Sequence, residues 1–93
     1  MDKPRTPDDW QLFTASVSEG GPVTQQALDN AAAALNIALD LAAEAVRAGT
    51  APYEAYARCI EPVAEEHEEM GASDSEPRDI AILYLESIAR TRT

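Results

Sequence analysis

The sequence predicts an all-α fold, a small antiparallel bundle of about four helices forming a single helical domain over residues 1–93. Three observations predict it. Apolar residues recur at three- and four-residue steps through most of the chain, and no run alternates as a half-buried strand would. Glycine and proline then divide the chain into helix-length segments joined by short connections, which sets neighbouring helices antiparallel. With 93 residues, two separate cores would each be too small to fold without disulfides or metals.

Residues 1–5 precede the first helical signal and are expected to be flexible. The first helix opens at Thr6-Pro7-Asp8-Asp9, where Thr6 can cap, Pro7 suits the first helical position and the aspartates favour the positive helix end. Trp10, Phe13 and Val17 share a face, and Gly20-Gly21-Pro22 ends the segment. It carries the only Trp and the only Phe, which suits a lid over the rest.

The second helix runs from about Thr24, a plausible N-cap, to Ala48, with Gly49 as its stop. Alanine, the best intrinsic helix former, dominates it. Leu28, Leu35, Leu39, Ala42 and Val46 line one face, and Ile37, Leu41 and Ala45 form a second stripe beside it. So wide an apolar surface is expected to meet more than one neighbour.

The third segment starts near Thr50-Ala51-Pro52 and reaches Met70, closed by Gly71. Tyr53, Tyr56, Ile60, Val63, His67 and Met70 make a heptad-like seam, with Glu54, Arg58, Glu61, Glu65, Glu68 and Glu69 opposite. Pro62 removes one donor and crowds the carbonyl of Arg58, so a kink is expected there, or two helices in tandem, with the seam kept on one side. The last helix follows Ser73-Asp74-Ser75-Glu76-Pro77. Either serine can cap it, and Ser73 with Glu76 has capping-box spacing. Ile80, Leu83, Tyr84 and Ile88 form its main face, broadened by Ile82 and Leu85.

Charge narrows the function. Seventeen acidic residues stand against seven basic ones, a net charge of −10, so direct binding to a nucleic-acid backbone is disfavoured. The alanine-rich stretch from Ala27 to Ala48 carries Asp29, Asp40 and Glu44, each costing about 2.5–3.5 kcal/mol at a bilayer centre, so no membrane span is expected. The start of the chain passes from Met1-Asp2-Lys3 to Asp8-Asp9 without an apolar stretch, and Cys59 is alone. Both fit a cytoplasmic protein.

The candidate binding residues are Glu61, Glu65, Glu66, Glu68 and Glu69, in a stretch from Glu61 to Glu76 that has seven acids and no Lys or Arg. Like charges at this spacing repel, and a basic partner surface would relieve them and be steered toward them. A sharper form of the same reading is mimicry of a nucleic-acid backbone. The bland reading is a solvated face that keeps the chain soluble.

Other constellations are weaker. His67 among glutamates suggests a metal, but the residue three before it is Ala64 rather than Glu, and Gly71 stands where H-E-x-x-H needs its second His. A core or interface histidine is the simpler reading, and no metal ligand is assigned. Cys59 lies eight residues from the sole His, about 12 Å along a helix by the 1.5 Å rise, so no Cys-His dyad forms within one subunit. Asp74-Ser75 invites comparison with acyl carriers, but Glu76 follows where those domains place Leu and only one helix remains beyond it. Tyr53, Tyr56 and Tyr84 could cluster with Trp10 and Phe13 around a small ligand, although aromatics at helical spacing usually fill a core.

No arrangement of acid, base and nucleophile is recognisable, and no cofactor is implied; the chain is not read as an enzyme. The expectation is a small acidic protein-binding module, a regulator, inhibitor or adaptor, whose partner is another protein with a basic surface. The alternatives are a homo-oligomeric structural or assembly component with mainly apolar contacts, including a homodimer through the second helix, and a carboxylate-His metal-binding protein.

Overall fold

Alanine sets the architecture, because a helix with small side chains on its inner face lets its neighbours approach closely. In the computed structural model, which describes residues 3–12 and 25–91, that helix is α1, Gln25–Arg47. It buries Leu28, Leu35, Leu39, Ala42 and Val46 as the sequence predicts, together with Ala31, Ala32, Ala38 and Ala43. Its expected N-cap, Thr24, lies outside the described residues. The second apolar stripe is a correction. Ile37 and Leu41 are 65% and 56% exposed, because the core turns toward the alanines on the other flank of the leucine face.

α1 ends in a Schellman motif. The Thr50 N–H donates to the Ala45 carbonyl at 2.9 Å and the Gly49 N–H to the Val46 carbonyl at 3.0 Å, with Gly49 at φ 115°. The same motif recurs after the third segment, where the Gly71 N–H donates to the Glu68 carbonyl at 2.9 Å and Gly71 has φ 78°. Gly71 is also buried. A Cβ in the left-handed region costs about 1–2 kcal/mol, so Gly71→Ala is expected to lower unfolding free energy by that amount in urea titrations.

The third segment is one helical stretch with a changed winding. It begins as α2, Pro52–Ala55, passes through a π turn at Tyr56–Ile60, and continues as α3, Glu61–Glu66; a 3₁₀ turn at Glu68–Met70 follows. The π turn stands where a kink at Pro62 was expected. Proline cannot donate to the Arg58 carbonyl and its ring would crowd it, and the wider winding just ahead of it carries the Glu61 N–H five residues back to the Tyr56 carbonyl.

This wider winding also dissolves the heptad seam. Tyr56, Ile60 and Ala64 are buried at steps of four, with Ala55 and Met70, while Val63 and His67 are half-buried and Tyr53 is 60% exposed.

The last helix is α4, Ser75–Thr91. Asp74, not a serine, precedes its first residue, and the Asp74 carbonyl accepts from the Arg78 N–H at 3.4 Å. Pro77 is buried in the first turn, where no amide donor is needed. The buried face is Pro77, Ala81, Ile82, Leu85 and Ile88. The expected face is thus rotated, and Leu83 is left 50% exposed. A helix apolar around most of its circumference does not choose its own inner side. Here small Ala81, fully buried, lies on the inner side and α1 packs against α4.

Three helical stretches therefore stand in the described residues where about four helices were expected. The expected first helix begins as a single turn. The Thr6 hydroxyl accepts from the Asp9 N–H at 3.1 Å, and Asp9 Oδ2 accepts from the Arg5 and Thr6 N–H groups at 3.1 and 3.2 Å. Those donors hold the Asp9 carboxyl below its ordinary pKa, the Thr6 backbone contact most and Arg5 next. Their support is present above the carboxylate range and lost as pH falls through it. The turn closes at Gln11, whose φ of 59° breaks the winding. Phe13 and Val17 lie outside the described residues.

The lid role falls to Trp10, which is fully buried. Its Nε1–H donates to Asn36 Oδ1 at 2.9 Å, and Asn36 Nδ2 donates to the Arg5 carbonyl at 2.9 Å. Lys3 pairs with Asp40 and Pro4 is buried, so residues 3–5 lie along α1. One contiguous core results, with Trp10, Leu35, Leu39, Val46, Ile60 and Leu85 as its largest sealed side chains.

Candidate functional site

The acidic side chains are positioned by the helix that the core holds in place. Tyr56, Ile60 and Ala64 face inward, so Glu61, Glu65 and Glu66 on α3 face water, and Glu68 and Glu69 follow on the 3₁₀ turn. All five candidate glutamates are exposed. Among the described residues the ion pairs are Lys3 with Asp40 and Arg58 with Glu54, and neither involves the five.

A cleft of about 490 Å³ opens at the α2 side of this ridge. Its walls are the π turn and α3 on one side and the approach to α4 on the other, bringing together Tyr53, Tyr56, Glu61, Glu65, Ser73 and Arg78. Tyr56 is only 5% exposed, and its hydroxyl takes part in none of the hydrogen bonds of the described residues. No sealed side-chain polar atom among the described residues lacks a partner, so this hydroxyl reaches the cleft. Burial pushes the Tyr56 pKa above its ordinary value of 10.0, Glu61 adds to the rise, Arg78 opposes it, and Glu65 contributes a little more.

That shift has a sign. The unfolded chain loses the Tyr56 proton at lower pH than the folded one, so the associated stability is full below pH 10.0 and falls as pH rises through the folded value. Tyr56→Phe is expected to flatten this alkaline loss, measured as the unfolding midpoint between neutral pH and about one unit above the ordinary tyrosine pKa.

Sequence reasoning placed Tyr53 and Tyr56 together, and the cleft keeps them together, whereas Trp10 is sealed against Asn36 on α1. It missed Ser73 and Arg78. These reach the cleft only because the start of α4 packs against α2, which no local pattern announces. Cys59 is half-buried against the core and His67 is half-buried beside the ridge. Among the described residues no three His, Cys, Asp or Glu side chains converge as a metal cage would require, and no helix is long and apolar enough to cross a membrane.

No protein-family model matches the chain, and neither a curated protein nor a solved structure matches it, so the chemistry of this surface stands on its own residues.

Proposed function

We propose that the chain is a protein-binding module, acting as a regulator, inhibitor or adaptor, that offers Glu61, Glu65, Glu66, Glu68 and Glu69 to a basic surface on another protein. The observation that carries this reading is the exposure of all five carboxylates within nine residues, with no ion pair to any described residue. Carboxylates crowded in this way repel one another. A partner's lysines and arginines relieve that repulsion and also gain from long-range steering. Because the contact is electrostatic, it weakens as salt shortens the screening length.

The test is capture from a lysate of the native host by the wild-type chain and by the variant carrying Glu65→Lys, Glu66→Lys, Glu68→Lys and Glu69→Lys. A protein held by the wild type, released by salt and lost from the folded variant supports the reading. An unchanged captured set from a folded variant refutes it.

A second reading has its own support. Ile37 and Leu41 lie four residues apart on α1, both more than half exposed, and are suited to a second copy packed helix on helix. Light scattering separates the two: a dimer mass that Ile37→Glu converts to a monomer mass favours self-association.

A further inference from the structure

We infer that the cleft beside Tyr56 is a seat for a single arginine side chain of the partner protein. This rests on the reading of the acidic ridge as a surface for a basic protein, and it names the residue chemistry that surface selects. A volume of about 490 Å³ falls in the range of ligand sites and leaves room for a side chain with its flanking main chain. Glu61 and Glu65 supply carboxylates that a planar guanidinium can bridge, an arrangement a lysine ammonium satisfies less well. Tyr53, 60% exposed at the same cleft, offers a ring face for the guanidinium to stack on.

The floor adds an observation independent of the acids. The Tyr56 hydroxyl belongs to a side chain only 5% exposed, reaches the cleft and makes no hydrogen bond to another described residue, so it is held in place with its acceptor free for an incoming guanidinium N–H. Arg78 lines the other side. Its charge repels a second cation and attracts a main-chain carbonyl, so one arginine between neutral neighbours fits better than a polybasic run.

The probe is the blocked tripeptide Gly-Arg-Gly, titrated against the full chain by NMR at about 0.15 M salt, where screening acts beyond about 8 Å. Saturable shifts of the Tyr53 and Tyr56 ring resonances are expected, with weaker binding of the blocked Gly-Lys-Gly peptide. Tyr53→Ala should weaken the arginine peptide about two- to fivefold. The pair Glu61→Gln with Glu65→Gln should weaken it at least as much, while Glu68→Gln with Glu69→Gln, outside the cleft, weakens it less. Shifts that never saturate, or an equal loss in the Glu68 and Glu69 variant, overturn the seat and leave only diffuse attraction. That result does not touch the ridge reading, which stands or falls on the lysate capture with the charge-reversed chain.

Discussion

Trp10→Ala is expected to cost about 3–5 kcal/mol of unfolding free energy, the range for deleting a sealed aromatic side chain. Trp10 is fully buried and is the only tryptophan in the chain. Its indole fixes residues 3–12 to α1 through the bond to Asn36, which in turn holds the Arg5 carbonyl. A domain of this size has about 5–15 kcal/mol in total, so the variant should be close to its unfolding transition at room temperature. Trp10→Phe keeps the six-membered part of the buried ring. It loses the N–H together with two ring carbons, and since Asn36 is half-exposed, water can replace that donor. Its expected cost is about 1–2 kcal/mol, from the small void and the lost bond. Urea titrations followed by circular dichroism measure both variants without relying on the removed fluorophore. Equal costs for the two would mean that the bond to Asn36, and not the buried ring, anchors the strap.

Leu35→Ala is the second large effect, at about 2–5 kcal/mol, set against Ile37→Ala at no more than about 0.5 kcal/mol. The two residues lie two positions apart on α1 and are both large and apolar, yet Leu35 is fully buried and Ile37 is 65% exposed. The contrast therefore reads the orientation of α1 and little else. If Ile37→Ala costs as much as Leu35→Ala, that side of α1 is covered in solution, by a second copy or another element, and the homo-oligomeric reading gains at the expense of an isolated module. A concentration-dependent midpoint would accompany a second copy.

The same pair marks where sequence reasoning reaches its end. The main face of α1 was legible because five positions from Leu28 to Val46 repeat at helical spacing and Gly49 supplies the stop, so propensity, periodicity and cap agree. The stripe of Ile37 and Leu41 was not, since periodicity shows that residues share a face without showing that anything packs on it. α4 was misread for a related reason: Leu83 and Ile82 are equally apolar neighbours, and tertiary packing on α1 selects Ile82.

In the third segment Pro62 was read as a disturbance, but the disturbance is a π turn, and one slower turn was enough to move Tyr53 out of the core. The exposure of the glutamates was legible from charge alone, because five acids within nine residues, with no base among them, are too costly to bury. The cleft was half legible. Its tyrosines and glutamates share one helical stretch, while Ser73 and Arg78 arrive through the fold.

The most direct measurement of the central claim is the urea stability of the variant Glu65→Gln, Glu66→Gln, Glu68→Gln, Glu69→Gln at low and high salt. Carboxylates that face water and repel one another predict a variant as stable as the wild type or slightly more so at low salt, by a few tenths of a kcal/mol for each relieved pair, with the difference shrinking as salt rises. A loss of more than about 1 kcal/mol that persists in high salt would contradict it, because it would mean that these side chains already hold the isolated molecule together and are not free to receive a partner.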